Sequence, residues 1–341
     1  MTEAIHTQQL SKRFRRSAGY RDLIPWLSHR GEFMAVNGVD LQVREGELFG
    51  LVGPNGAGKT TLIKILCTLL LPTSGFAKIF GFDVAHREHD VKRLVGLVTG
   101  EERSFYWRLS GRQNLRFFSA LYRMSGRKGE ARIDELLELL GMARDGDRRF
   151  QDYSSGMKQK LAIARGLLNS PSLLFMDEPT RSLDPISARD LRRFVKEDIV
   201  ERQGRTVLLT THQMTEAEEL CDRVAIMSRG RIVACGTVDE LRARFQEYTR
   251  YQMDISGFPE ARLPALGDVP GVVGYAKTFQ ENGCMTVDVK VREGALSEAL
   301  KAIIHNGGEI TSCDRRESAL QDIFMHAVEG LGREPDRVDV S

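Results

Sequence analysis

The fold of this chain is decided by Gly53-Pro54-Asn55-Gly56-Ala57-Gly58-Lys59-Thr60-Thr61, which fits the phosphate-binding pattern G-x-x-x-x-G-K-[ST]. The apolar run 48–52 before it predicts a buried strand, and residues 62–66 after it predict the start of a helix. Glycines let the backbone curl so that its amides point at phosphate oxygens, and the helix N-terminus adds its positive end. We therefore expect all nine residues to bind nucleotide phosphates, with Lys59 on the β- and γ-phosphates and Thr60 on Mg²⁺.

The composition is that of a globular protein, with 41% hydrophobic and 28% charged residues in a chain of 341. This length predicts about two domains. Lys and Arg number 49 against 47 Asp and Glu, and the net charge of +2 argues against a protein held on nucleic acid by bulk charge. The cysteines lack metal-binding spacing, so we expect the reduced thiols of a cytosolic protein at Cys67, Cys221, Cys235, Cys284 and Cys313.

Three stretches bear on a membrane role. No apolar run follows Met1, so we expect no secretory signal. The most apolar stretch, 62–71, is interrupted by Lys64 and is too short to span a bilayer, so a partner would have to hold this chain at a membrane. The basic segment 15–33 contains Trp26 and has two interpretations, a solvated surface insertion or a segment beside lipid headgroups or a membrane partner.

Predicted strands and helices alternate around the P-loop, which indicates an α/β fold with a parallel sheet covered on both faces. The strands are predicted over 1–14, 35–43, 48–52, 76–80, 94–98, 173–176, 207–211 and 224–227, with a hairpin arm over 230–233. The helices are predicted from 62 and over 111–124, 133–140, 161–168, 190–201 and 216–220. Asp177 follows a buried strand, where a P-loop protein holds Mg²⁺.

A domain boundary is predicted after residue 245, where the periodic pattern lapses. Beyond it, strands are predicted over 251–255, 272–279, 285–291 and 309–313, and helices over 296–305 and 320–328. This order indicates a small α+β domain of ferredoxin-like character over residues 246–330, after a first domain over 1–245. The polar residues 331–341 are predicted to form a disordered tail.

Four motifs follow one another in a fixed order: the P-loop, Ser154-Ser155-Gly156, Asp177-Glu178 and His212. Over about residues 3–240 this order and spacing resemble the nucleotide-binding domain of an ATP-binding cassette (ABC) transporter. A P-loop alone would leave kinases and GTPases open, and the signature-like stretch 153–160 separates this family from them. The resemblance implies a P-loop NTPase cassette with a parallel sheet core, an antiparallel β subdomain and a helical subdomain.

The resemblance also implies roles for individual residues. Asp177 would hold Mg²⁺, and Glu178 would be the general base that deprotonates the attacking water. His212 would contact the γ-phosphate. A lone histidine after a strand more often caps that strand, but the Thr-Thr-His context and the family position favour the phosphate contact here. Asp184, in the stretch that resembles the D-loop, would tie two active sites together.

Some positions depart from the family pattern. Ser155 stands in place of a glycine and Met157 in place of a glutamine, while Ser154 and Gly156 are retained to bind the γ-phosphate across a dimer interface. Glu101 occupies the place of the Q-loop glutamine, where it can accept from a Mg²⁺-bound water. Phe14 matches the aromatic that stacks on adenine, or is a core residue.

The leading hypothesis is an ATP-hydrolysing subunit that dimerises on ATP and drives export through separate membrane permease subunits, at the cytoplasmic face of the membrane. One P-loop and one signature per chain imply a second copy in head-to-tail contact. The C-terminal region resembles type-2 exporters of drugs and lipids, and the loop Phe105-Tyr106-Trp107 would contact a membrane subunit or belong to a satellite core. The alternative is a soluble ABC ATPase acting on the ribosome or nucleic acid, although neither a second P-loop nor sustained heptads are present.

Overall fold

The computed structural model describes residues 2–15, 32–100, 104–124, 126–245, 248–281, 284–292 and 294–316. Contacts between residues divide the chain into two compact units, with the division between Val238 and Asp239. The boundary expected after residue 245 stays a prediction. The proposed helix 320–328, the tail 331–341, most of the basic segment 15–33 and Glu101 lie outside the described residues.

The first unit is built on a mixed sheet with the strand order β10–β9–β3–β8–β7–β6. Neighbouring strands are parallel from β9 to β6, and β10 is antiparallel to β9. Apolar residues fill the central strands, as expected for strands buried on both faces. The bounds are β3 (Leu48–Val52), β6 (Val95–Thr99), β7 (Leu173–Asp177), β8 (Thr206–Thr211), β9 (Arg223–Ser228) and β10 (Arg231–Gly236). The predicted parallel sheet is confirmed.

A second sheet of the same unit is antiparallel and has the order β2–β1–β4–β5. Its strands are β1 (Glu3–Arg15), β2 (Glu32–Arg44), β4 (Ser74–Ile79) and β5 (Phe82–Asp83). Side chains of this sheet, of the mixed sheet and of the helix after the P-loop share one core, which includes Ile5, Val36, Phe49, Leu62 and Phe175. This core fixes the base of the P-loop between the two sheets.

Two helices of the first unit begin earlier than their apolar patterns predict, because a polar residue caps each of them. Ser154 caps the helix at 155 rather than 161, and Asp184 caps the helix at Pro185 rather than 190. The bounds are α1 (Lys59–Leu66), α2 (Glu88–Leu94), α3 (Gly111–Leu121), α4 (Gly126–Leu139), α5 (Ser155–Leu167), α6 (Pro185–Arg193) and α7 (Met214–Leu220). A π-helix over Phe194–Glu201 continues α6, and a short 3₁₀ helix spans Phe150–Asp152.

A helical region lies between β6 and β7 in the chain. Helix α3 begins with a capping box in which Ser110 and Gln113 satisfy each other's backbone amides. Salt bridges from Arg116 to Glu130 and from Arg112 to Asp134, at 2.5 Å each, join α3 to α4. This region is the predicted helical subdomain, and the antiparallel sheet is the predicted β subdomain.

The second unit contains α8 (Val238–Phe245) for most of its length and an antiparallel sheet with the order β12–β13–β11–β14. Its elements are β11 (Thr249–Ser256), a 3₁₀ helix (Glu260–Leu266), β12 (Val272–Glu281), β13 (Cys284–Val291), α9 (Leu296–His305) and β14 (Glu309–Arg316). Two crossovers in this strand order give the ferredoxin-like arrangement. The first crossover uses the 3₁₀ helix, which the sequence pattern did not predict.

Among the described residues, no helix is both long and apolar enough to cross a lipid bilayer.

Candidate functional site

Strand order brings the predicted motifs to one edge of the mixed sheet. Strand β8 lies between β3 and β7, with Val52 beside Thr211 and Asp177 beside Thr210. Because parallel strands end at the same edge, the P-loop after β3, His212 after β8 and Glu178 after β7 meet there. The resulting cleft, of about 860 Å³, is lined by P-loop residues from Asn55 to Thr61, by Asp177 and Glu178, and by Phe33, Arg181 and Ser182.

The P-loop glycines meet two different constraints. A Cβ at Gly53 would lie 2.2 Å from the carbonyl oxygen of Met227, so only glycine lets the loop pass strand β9. Gly58 has φ +106° and would place a Cβ 2.1 Å from the carbonyl oxygen of Ala35. Gly58 is also the N-cap of α1, so the loop delivers the chain directly to a helix N-terminus. This geometry is suited to an anion held by backbone amides.

Lys59 is the first residue of α1 and is 5% exposed. Its Nζ donates hydrogen bonds to the carbonyl oxygens of Gly53, at 2.6 Å, and Pro54, at 3.1 Å. Burial lowers the pKa of the Lys59 ammonium below its usual value, and the nearby charges of Glu178 and Asp177 oppose that shift. The ammonium is therefore held inside the loop, desolvated and ready to pair with an anion.

Asp177 ends β7 with both carboxylate oxygens engaged by hydroxyl groups. The Thr60 hydroxyl donates to Oδ2 at 2.9 Å, and the Thr210 hydroxyl donates to Oδ1 at 2.5 Å. A hydroxyl from α1 and a carboxylate from β7 therefore lie within hydrogen-bonding distance of each other. Oxygen donors of this kind are those that Mg²⁺ prefers, with substrate phosphates completing its coordination.

Glu178 follows with φ +48°, an uncommon backbone conformation for a residue with a side chain. Its amide donates to the carbonyl oxygen and to the hydroxyl oxygen of Thr210, at 3.1 and 3.2 Å. These bonds hold the turn that points the side chain along the cleft. His212 Nδ1 lies 3.2 Å from Oε1, and Arg181 Nη1 lies 3.3 Å from Oε2. The predicted base and the predicted γ-phosphate contact are thus in direct contact.

The signature residues lie elsewhere in the unit. Ser154 is exposed, and its side chain accepts a hydrogen bond from the amide of Met157 at 3.3 Å as the N-cap of α5. Ser155 is exposed and Gly156 is partly buried. Within the part of the chain that the structure describes, none of these three residues lines the P-loop cleft. Ser155 instead lines a neighbouring pocket with Glu178 and Ser182, two residues that also line the P-loop cleft.

Asp184 is engaged in its own helix. Its carboxylate accepts from the Ser187 hydroxyl at 2.6 Å and from the amides of Ser187 and Ile186 at 3.0 and 3.1 Å. These hydrogen bonds, that from the Ser187 hydroxyl above all, lower the pKa of Asp184. The D-loop is thereby fixed as the N-terminus of α6.

Phe14 and Phe33 form a stacked pair, with ring centroids 5.8 Å apart. They are direct partners in the β1–β2 register, but only Phe33 lines the P-loop cleft, and Phe33 is 48% exposed. Sequence reasoning named Phe14 and missed Phe33. Strand β2 begins at Glu32, whereas the sequence pattern predicted a strand only from residue 35, because residues 32–34 do not alternate.

Sequence reasoning also missed Thr210 and Arg181. Thr210 forms hydrogen bonds with both Asp177 and Glu178. The pair Thr210-Thr211 before His212 could have indicated this role, because hydroxyl side chains at a strand end can bond to carboxylates of the next strand. Arg181 was visible only as part of the D-loop stretch. Its contact with Glu178 depends on the positive φ of Glu178, which sequence does not reveal.

Known proteins with this arrangement identify the family. The sequence profile described as ABC transporter matches residues 36–181. The daunorubicin resistance ATP-binding protein DrrA3 of Streptomyces coeruleorubidus is 36% identical over 87% of this chain and 92% of its own length. The chain belongs to the ABC transporter family. The predicted ABC-type ATPase that binds ATP is confirmed at this level.

Further matches cover the C-terminal region and most of the chain. A profile described as ATP-binding protein DrrA1-3-like, C-terminal domain, matches residues 236–328. The bacitracin transport ATP-binding protein BcrA of Enterococcus faecalis is 31% identical over 89% of this chain and 94% of its own. A fluoroquinolones export ATP-binding protein of Mycobacterium tuberculosis is 40% identical over 69% of this chain and 78% of its own.

Solved structures match the fold of the ABC ATPase. An ATP-binding subunit of an ABC transporter has a TM-score of 0.57 at 30% identity, covering 71% of this chain and 93% of that protein. A dimeric ATP-binding cassette in a post-hydrolysis state, bound to ADP and phosphate, has a TM-score of 0.58 at 24% identity, covering 69% and 98%. The predicted P-loop NTPase cassette fold is confirmed.

Proposed function

We propose that this chain is the ATP-hydrolysing subunit of an exporter, acting with separate membrane permease subunits at the cytoplasmic face of the membrane. The observation that carries the proposal is the single cleft that collects Lys59, Asp177 and Glu178, with His212 on the Glu178 carboxylate. Relatives along most of the chain are described as drug resistance or antibiotic transport ATP-binding proteins. These relatives support an exporter over the alternative of an ABC ATPase acting on the ribosome or nucleic acid.

In the proposed reaction, each step is assigned to a side chain of the cleft. The Glu178 carboxylate takes a proton from a water molecule as the water oxygen bonds to the γ-phosphorus. The bond from that phosphorus to the β–γ bridging oxygen breaks, which leaves ADP and phosphate. Lys59 and the P-loop amides offset the charge of the phosphates, and His212 senses the γ-phosphate from its place beside Glu178.

Thr60 and Asp177 fit a Mg²⁺ ion. Their oxygens are hard donors already within 2.9 Å of each other, at the mouth of the P-loop. When bound, the ion would offset charge on the β- and γ-phosphate oxygens. The described residues contain no group of three or more His, Cys, Asp or Glu suited to a metal, which accords with an ion that depends on the nucleotide for most of its ligands. Glu101 remains a proposed water-mediated contact outside the described residues.

A second copy of the chain completes the site. Ser154, Ser155 and Gly156 do not line the P-loop cleft, and Ser154 and Ser155 are exposed. In a head-to-tail pair, the signature of one copy would face the P-loop of the other and bind the γ-phosphate. Asp184 and the adjacent Ile186, which is 66% exposed, would lie at the joint between the two sites.

Two further contacts, with adenine and with a permease subunit, are proposed from the exposure of aromatic side chains. Adenine would stack on the Phe14–Phe33 pair through Phe33, the ring that reaches the cleft. A permease subunit would contact Tyr106 and Trp107, which are 50% and 48% exposed. Phe105, by contrast, is buried and stacks on Phe150 with the two ring centroids 4.8 Å apart, so it belongs to the core of the helical region.

The experiment is ATP hydrolysis by the purified full chain and its Glu178→Gln variant. The variant keeps the shape of the side chain but cannot take a proton, so phosphate release should fall by at least about 100-fold while ATP still binds. Glu197→Gln, an exposed glutamate in the π-helix, is the matched control and should keep the wild-type rate. Equal rates for wild type and Glu178→Gln would overturn the assignment of the base.

A further inference from the structure

Arg181 is a cation of the P-loop cleft that lies beside Glu178, and the reaction described above does not use it. The residue lies in the turn between Glu178 and α6, and it lines the same cleft as Lys59 and Thr60. The side chain of Lys59 is buried and fixed by two carbonyl oxygens, whereas that of Arg181 is 65% exposed. Lys59 is therefore anchored, whereas Arg181 can change its partner.

The present partner of Arg181 is the catalytic carboxylate. Nη1 lies 3.3 Å from Oε2 of Glu178, a residue whose side chain is only 15% exposed. Oε2 is buried and accepts no hydrogen bond from any described residue, so this contact is an ion pair without hydrogen-bond geometry. The other oxygen, Oε1, faces His212 at 3.2 Å. Arg181 and His212 thus each contact one oxygen of the Glu178 carboxylate, the group that is proposed to take a proton from water.

An ion pair of this kind is weak. It lacks the two parallel N–H···O bonds that make pairs between Arg and a carboxylate strong, and its Arg181 end is largely exposed to water. A phosphate group carries more charge and offers more acceptor oxygens than a single carboxylate oxygen. Guanidinium groups match phosphate oxygens with two donors at once. A terminal phosphate entering the cleft would therefore outcompete Glu178 for Arg181.

We propose that Arg181 is a γ-phosphate contact supplied by the same chain, which pairs with Glu178 in this structure and transfers to the nucleotide when ATP binds. The transfer frees Oε2 of Glu178 to accept a hydrogen bond from the attacking water. It also adds a guanidinium where charge spreads over the γ-phosphoryl oxygens during the reaction. This inference rests on the proposed function, because its ligand is the terminal phosphate of ATP.

The inference predicts selectivity between nucleotides. Arg181→Gln should weaken binding of the non-hydrolysable β,γ-imido analogue of ATP by about tenfold, the usual effect of losing a hydrogen bond to a charged group. Its affinity for ADP, which lacks the γ-phosphate, should stay at the wild-type value. Arg181→Lys keeps the charge but loses the planar donor pair. Its ratio of analogue affinity to ADP affinity should therefore fall between those of the wild type and Arg181→Gln. Calorimetric titration of the full chain with both nucleotides measures these ratios.

Arg193→Gln is the matched control. Arg193 also pairs with the carboxylate three residues before it, Asp190 at 3.9 Å, and is 68% exposed, but it does not line the P-loop cleft. This variant should leave both affinities unchanged. Retained ADP binding by Arg181→Gln shows that the fold is intact, so misfolding cannot imitate the result.

The outcomes separate the inference from the proposed function. If the wild type binds both nucleotides and Arg181→Gln leaves the affinity ratio unchanged, or loses both affinities equally, the phosphate contact is overturned and the ATPase proposal stands. If the wild type binds neither nucleotide, both are overturned. A loss confined to the analogue supports the inference.

Discussion

Thr60 and Asp177 are 117 residues apart in sequence, yet the Thr60 hydroxyl donates a 2.9 Å hydrogen bond to Oδ2 of Asp177. The bond joins the first turn of α1 to the end of β7, two elements that the parallel sheet places side by side. Both oxygens belong to the proposed Mg²⁺ site. This pair therefore connects the phosphate-binding loop to the acidic strand end that holds the proposed catalytic residues.

Replacing Thr60 by valine should separate the metal from the nucleotide. Valine keeps the shape of the side chain but removes the oxygen, so the Mg²⁺ concentration for half-maximal ATP hydrolysis should rise by at least about tenfold. A Mg²⁺ titration of phosphate release measures this. Thr286→Val is the control, because the Thr286 hydroxyl also donates to an aspartate, Asp254 at 2.6 Å, in the second unit. An unchanged titration for Thr60→Val would contradict the metal assignment.

Gly53→Ala should damage the P-loop through a backbone clash. The new Cβ would lie 2.2 Å from the carbonyl oxygen of Met227, so β9 or the loop must shift, and we expect a loss of more than about 2 kcal/mol in the free energy of unfolding. Gly81→Ala is the comparison, because Gly81 has φ +81° with no atom within 4 Å of the added Cβ. It should cost about 1–2 kcal/mol from backbone strain alone.

Thermal or urea unfolding of the two glycine variants measures the difference, and ATP binding gives a second readout. Gly53→Ala should lose ATP binding, and Gly81→Ala should retain it. If both variants unfold at the same denaturant concentration, the close approach of the P-loop to β9 is not the constraint on Gly53.

The second unit should carry an acid-sensitive contact at Asp254. Hydrogen bonds from the Thr286 and Ser312 hydroxyls lower the pKa of Asp254 below its usual value of 3.8. A depressed folded pKa stabilises the fold above the unfolded pKa, and that stability is lost as pH falls through the folded pKa. Asp254→Asn should therefore unfold at a lower temperature than wild type at pH 7.

The difference in melting temperature between wild type and Asp254→Asn should shrink as pH falls below about 4. Scanning calorimetry across this pH range measures it. A difference that persists unchanged at acid pH would show that the ionised carboxylate does not stabilise this sheet.

The sequence alone predicted those parts of the site that a short local motif marks. The P-loop glycines, the run of apolar residues before Asp177 and the signature stretch each identify themselves within about ten residues. What sequence could not supply are contacts made by tertiary geometry. Arg181 contacts Glu178, which has a positive φ, and Phe33, the direct β1–β2 partner of Phe14, is the ring of that pair that lines the cleft.

The starts of α5 and α6 were predicted too late for a related reason. Apolar periodicity marks where a helix becomes buried, whereas Ser154 and Asp184 set where it begins. Both caps are also signature or D-loop residues, so the same side chains start a helix and present a surface. Periodicity alone could not separate these two roles.

The central claim is that each chain carries half of a composite site, and mixing two inactive variants tests it most directly. Lys59→Met removes the P-loop cation, and Ser154→Arg blocks the signature. A mixed pair has one intact site, formed by Lys59 of one chain and Ser154 of the other. We predict that each variant alone is inactive and that an equal mixture recovers up to about a quarter of the wild-type rate of phosphate release, from random pairing. A mixture as inactive as its components would contradict the claim.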